Sequence, residues 1–195
     1  MHIVIVSDIF GRQQALDNFC SLLAAPTTFT VIDPFQGQYL NFADEEHAYQ
    51  TFIEHCGHDN YTEIIAKTLT KLSKNCFIIG FSAGAAATWR ALANLPEHKQ
   101  QLCKHFIGFY PSQIRHHLHL SSQVKTHLYF PKDEAHFSVT QVIAALATTP
   151  NVSTVQTNYL HGFMNPHSIN FSQQAYLTYI NKLQKMLSAA NKLSS

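Results

Sequence analysis

The chain has 195 residues, 46% of them hydrophobic and 13% charged, enough apolar material for one buried core and too much for a disordered segment. Its formal net charge is +1 and no Lys or Arg cluster occurs along it, so neither a nucleic-acid nor a membrane partner is expected. No leader-like segment and no bilayer-length apolar run is read, and the expectation is a cytoplasmic protein organised as one domain over residues 1–195.

Residues 2–7 and 29–33 read as short buried strands, with residues 12–24 between them showing helical spacing at Leu16, Phe19, Cys20 and Leu23. Residues 43–56 and 61–72 are predicted helices, separated by the turn residues Gly57, Asp59 and Asn60. A strand over 76–81 runs into a helix from Ala83 that lasts until Pro96. Strands over 105–110 and 126–130, a helix over 139–147, a strand over 152–160 and a final helix over 171–189 complete the chain. Apolar strands alternating with amphipathic helices imply a compact three-layer α/β sandwich, whose mostly parallel central sheet has about six strands with helices on both faces. Ligands in such folds sit beyond the C-terminal strand ends. Cys20, Cys56, Cys76 and Cys103 are widely spaced and read as reduced thiols rather than bridges or zinc ligands.

Gly80-Phe81-Ser82-Ala83-Gly84 lies where the third predicted strand turns into a helix. Small residues flank the serine because the chain reverses within one residue, and a larger side chain would strike the neighbouring strand or helix. The hydroxyl is thereby held at a helix N-terminus, where free backbone N–H groups can stabilise an oxyanion. A serine nucleophile needs a base and a third group to orient that base, in the chain order serine, acid, histidine. His161 follows the last predicted strand and Gly162 lets the chain turn beside it. For the acid, Asp133 and Glu134 both stand after the strand over 126–130. Residue type favours Asp133.

The chain resembles the dienelactone hydrolase family of the α/β-hydrolase fold through Val6-Ser7-Asp8-Ile9-Phe10-Gly11, the elbow around Ser82, Phe130-Pro131-Lys132-Asp133-Glu134, and His161-Gly162-Phe163 with Pro166 behind it. Matched without a gap, the acid-loop pattern of the family puts Glu134 at its catalytic aspartate, so the resemblance favours Glu134 despite the rarer residue type. The resemblance also implies oxyanion donors from the backbone N–H groups of Ile9 and Ala83, and it places Asp8 near the serine. The nucleophile is serine where the founding enzymes have cysteine, which favours general ester or thioester chemistry. The chain is also short for the fold.

The reading is a serine hydrolase acting on a small-molecule ester, lactone or thioester, as monomer or homodimer, with no metal or other cofactor. The alternative is a non-catalytic member of the fold that binds a ligand or protein in its cleft. Asp8, Arg12, Arg115 and Phe163 are candidate substrate contacts, the arginines for a substrate carboxylate. Tyr39, Phe42, Tyr49, Phe109 and Tyr110, with Phe163, suggest an aromatic pocket. His116, His117 and His119 form a cluster read as a polar loop rather than a metal site, because no acid or thiol stands at ligand spacing.

Overall fold

Two apolar runs, Ile3 to Val6 and Cys76 to Ile79, have no exposed surface in the computed structural model, which describes residues 2–23 and 28–192. Strands this uniformly apolar need cover on both faces. In chain order the elements are β1 (His2–Val6), α1 (Gln14–Leu22), β2 (Thr28–Ile32), α2 (Glu45–His55), α3 (Gly57–Thr70), β3 (Cys76–Phe81), α4 (Ser82–Ala93), α5 (Glu97–Gln100), β4 (Cys103–Phe109), a 3₁₀ turn (Ser112–His116), β5 (Lys125–Phe130), α6 (Val139–Leu146), β6 (Val152–Gln156) and α7 (Gln173–Lys192).

The six strands form one sheet in the order β2-β1-β3-β4-β5-β6, every pair parallel. Side chains alternate between two cores, as the two-residue repeat of a strand requires. Val4, Val6, Ile78, Phe106 and Leu128 pack with Phe52, Ile65, Trp89, Leu92 and Leu146 of α2, α3, α4 and α6. Ile3, Ile5, Phe77, Ile79 and Phe109 pack with Phe19 of α1 and Tyr179, Ile180 and Leu183 of α7. The chain leaves β1 toward the β2 edge and returns to β3 on the other side. The direction of winding therefore reverses between β1 and β3, and the loops after these strands diverge around a crevice.

Several boundaries differ from the sequence reading. The last strand ends at Gln156, not at residue 160: the Thr157 N–H still donates to the Phe130 carbonyl (2.9 Å), but the chain then bends at Asn158 and Tyr159, and the Thr157 hydroxyl accepts from the Tyr159 N–H (3.2 Å). The break between α2 and α3 is at Cys56 and Gly57, whose φ is +68°, so Asp59 and Asn60 belong to α3. The short α5 and the 3₁₀ turn lie in stretches read as loop, and α7 begins at Gln173. The predicted end of the first helix at Ala24 lies outside the described residues. Among the described residues the four cysteines are unbridged, and no helix is long and apolar enough to cross a membrane.

Gly84 is where α4 comes closest to β1. A Cβ there would stand 2.0 Å from the Ser7 carbonyl oxygen and 3.0 Å from that of Val6, and neither backbone group can move without dragging the strand. Gly84→Ala is expected to destabilise the fold by about 2–3 kcal/mol, the usual scale of overpacking, in urea titration. A loss below about 0.5 kcal/mol would mean that the helix moves away freely.

Candidate active site

The passage from β3 to α4 forces Ser82 into a left-handed conformation, φ +46°, which is uncommon for a residue with a Cβ. Gly80 permits it, since a Cβ there would lie 2.9 Å from Ala85 Cα. The Ser82 hydroxyl consequently stands clear of the helix and meets His161, with Oγ 2.9 Å from Nε2. The other ring nitrogen, Nδ1, lies 2.8 Å from Glu134 Oε1. A carboxylate only accepts, so Nδ1 carries the hydrogen and Nε2 is left to accept from the serine. His161 and Glu134 side chains retain 26% and 16% exposure, which leaves the pair accessible but largely dry.

The structure brings Glu134, and not Asp133, to His161. Asp133 is exposed, while Glu134 is half-buried. Burial alone would raise the Glu134 carboxyl, but the hydrogen bond and charge of His161, the Ser112 hydroxyl and the Arg115 charge together hold it below the usual value. Ser112 was not anticipated. Its hydroxyl donates to Glu134 Oε1 and lies 3.0 Å from His161 Nδ1, so it braces both partners. Its position just past the end of β4, the neighbour of the elbow strand, is the sequence signal that could have found it.

Asp8 is buried in the turn after β1. Its Oδ1 accepts from the Phe10 N–H (3.0 Å) and its Oδ2 from Asn165 Nδ2 (2.6 Å), joining this turn to the loop that carries His161. Asn170 Nδ2 donates to the His161 carbonyl (3.0 Å), and Gly162, φ +87°, leaves room for Ser168 Oγ, which would lie 2.2 Å from a Cβ. Ile9 and Ala83 line the same cleft, of about 450 Å³, as Ser82, His161 and Glu134. The Ala83 amide lies in the first turn of α4, where no carbonyl within the helix is available to it.

Other candidate contacts fall away. Arg12 pairs with Asp17 (3.0 Å), and Arg115 donates to the Ser112 carbonyl (2.8 Å) with its guanidinium 4.8 Å over the Phe137 ring; neither lines the cleft. Phe163 is fully buried against Tyr110 and Tyr179, so it is core. Of the proposed aromatic pocket, Tyr49 and Tyr110 line the cleft, whereas Phe109 is core, Phe42 packs on Phe10 and Phe35, and Tyr39 is 52% exposed and donates to Asp17. The His117 and His119 rings are 6.5 Å apart, and among the described residues no group of three or more His, Cys, Asp or Glu is arranged to hold a metal ion.

The fold as a whole is matched among solved structures. A presumed dienelactone hydrolase of Klebsiella pneumoniae superposes with a TM-score of 0.69 at 16% identity, covering 96% of this chain and 85% of that one. Mouse alpha/beta hydrolase domain-containing protein 10 superposes with a TM-score of 0.66 at 9% identity, covering 97% and 90%. This chain has the α/β-hydrolase fold. In sequence it is 26% identical over 180 residues to YczH, an uncharacterized protein of Bacillus subtilis (strain 168), which spans 89% of this α/β-hydrolase-fold chain and 86% of that relative. No family model matches the chain.

Burial raises the Asp8 carboxyl from 3.8 to about 6, against the hydrogen bonds from Asn165 and Phe10 and the charge of His161, which lower it. Below about pH 4 the side chain is neutral in both the folded and the unfolded chain. As pH rises the unfolded chain releases its proton first, so the stability contributed by neutral Asp8 is lost until it too ionises near pH 6. The loss is roughly 3 kcal/mol. Asp8→Asn is therefore expected to gain on the parent protein by a few kcal/mol between about pH 4 and about pH 7 in urea titrations. A difference that stays constant with pH would contradict the assignment.

Proposed function

We propose that the protein is a single-domain serine hydrolase that cleaves a carboxylic ester, lactone or thioester through an acyl-enzyme on Ser82. The observation that carries this reading is the continuous contact from Ser82 Oγ through the two nitrogens of His161 to Glu134. In the proposed reaction His161 Nε2 takes the Ser82 proton as Oγ attacks the carbonyl carbon. The backbone N–H groups of Ile9 and Ala83 receive the negative charge that develops on the carbonyl oxygen. His161 then passes its proton to the leaving oxygen or sulfur, and the C–O or C–S bond breaks. Water enters, gives a proton to His161 and releases the acid by the same steps in reverse order. Glu134 keeps the proton on Nδ1 and stabilises the imidazolium, with Ser112 fixing the carboxylate.

The four motif segments that resemble dienelactone hydrolases, and the likeness to a structure of that description, favour small carboxylic esters or lactones as substrates. Cys20, Cys56, Cys76 and Cys103 all lie away from the elbow, so the proposed nucleophile is the hydroxyl alone.

Ser82→Ala is expected to lower kcat/KM on short chromogenic esters by about a thousandfold or more while leaving the thermal transition in place. Glu134→Gln should cost far more activity than Asp133→Asn, because only Glu134 reaches His161. Retained turnover in Ser82→Ala, or the opposite order for the two carboxylates, would contradict these roles.

A further inference from the structure

Two of the four thiols meet. Cys76 opens β3 and Cys103 opens β4, the two strands are neighbours, and the two residues are direct partners in their register. Their sulfurs lie 3.7 Å apart, with Cys76 donating to Cys103. Immediately after them the pairing shifts, because Phe77 faces His105 and leaves Lys104 as one residue more than β3 can match. The ladder is locally broken there, so the backbone at Cys103 is less constrained than in a regular pair. A disulfide needs its Cα atoms roughly 4.4–6.8 Å apart, and strands spaced about 4.8 Å apart meet that condition. The sulfurs have to approach by less than about 2 Å.

The two thiols are not equivalent. Cys76 is fully buried, whereas Cys103 retains 4% exposure at the N-terminal edge of the sheet. The hydrogen bond from Cys76 holds the Cys103 thiol below its ordinary pKa against the effect of burial, and the Lys104 charge acts in the same direction. The same hydrogen bond, together with burial, pushes the Cys76 thiol well up, so it keeps its proton. Burial pushes Cys20 and Cys56 up to about 11. A thiolate is the form that an oxidant meets, which singles out Cys103 among the four.

We propose that Cys76 and Cys103 are a peroxide-sensitive pair that closes to a reversible disulfide within the folded protein and staples β3 to β4. The Cys103 thiolate attacks one oxygen of the peroxide, the O–O bond breaks, and a sulfenic acid and hydroxide result. The Cys76 sulfur then attacks the Cys103 sulfur, the S–O bond breaks and the S–S bond forms. Both peroxide oxygens leave as water, carrying the two thiol protons; two thiols have lost two electrons and one peroxide has gained them. The bridge spans 27 positions of the chain and lies at the end of the sheet opposite the cleft, about 20 Å along β3 from Ser82. It restricts the unfolded chain without touching Ser82, His161 or Glu134. The pair closes whatever reaction the cleft performs.

Peptide mapping of the folded parent protein tests this. After a slight molar excess of hydrogen peroxide, remaining thiols are alkylated in urea and the chain is digested with trypsin without reductant; cleavage at Arg90 and Lys99 separates the two cysteines. A Cys76–Cys103 cross-linked peptide is expected, with Cys20 and Cys56 alkylated, and dithiothreitol should remove the cross-link. The thermal midpoint of the oxidised protein is expected to rise by a few degrees or more and to return on reduction. In Cys76→Ser, which keeps a hydrogen-bond donor but no resolving sulfur, dimedone is expected to label Cys103 as the sulfenic acid. The parent map decides the matter even where that variant does not fold. Absence of the cross-link while circular dichroism stays native, a bridge through Cys20 or Cys56, or a cross-link that appears only in urea would overturn the proposal. A bridge that lowers the midpoint would overturn the staple.

Discussion

The close approach of α4 to the first strand is the constraint on which the rest of the site depends. Because Gly84 lets the helix lie against the carbonyls of Val6 and Ser7, the chain must turn from β3 into α4 within one residue, and Ser82 is that residue. Its left-handed backbone costs on the order of 1 kcal/mol or more, and it is held by a helix whose residues from Ala83 to Trp89 are all buried. The same approach brings the turn after β1 alongside the first turn of α4. Ile9, Ser82 and Ala83 thus come to line one cleft although they come from opposite sides of the winding reversal.

Asp8 extends this arrangement to the histidine. It is a buried carboxylate that accepts from the backbone of its own turn and from Asn165, so the loop carrying His161 and the loop carrying Ile9 share one anchor. Burial makes its charged form costly, and three nearby groups compensate only in part. Ser112 acts similarly on the far side, tying Glu134 to the end of β4. The candidate site is thereby braced from the ends of several different strands.

Much of this was legible in the chain. Ile3 to Val6 and Cys76 to Ile79 are continuous apolar runs, and such runs separated by helical patterns leave little choice but a covered parallel sheet. Ser82 stood out because the physics of a one-residue reversal demands small neighbours. Residue type favours Asp133 and the motif spacing favours Glu134; what distinguishes them physically is which way the loop turns after Phe130, leaving Asp133 in solvent. Asp8 with Asn165 is a contact across 157 positions, and no local pattern announces it. Whether Arg12 and Arg115 reach the cleft is not legible in the sequence, because their partners, Asp17 and the Ser112 carbonyl with the Phe137 ring, are set by how α1 and the 3₁₀ turn are placed. The strand read through residue 160 shows the same limit: Tyr159 favours extended structure, but β6 is an edge strand, and past Thr157, whose N–H still donates to the Phe130 carbonyl, the chain bends at Asn158 and Tyr159.

The central claim is that Ser82 is a nucleophile activated by His161. Mass spectrometry after treatment with a fluorophosphonate tests it most directly, because the reagent forms a stable adduct on an activated serine hydroxyl. The account predicts a single adduct on the peptide containing Ser82, and a large fall in its rate of formation in His161→Gln. An adduct on another residue, or one on Ser82 formed equally fast without His161, would contradict it.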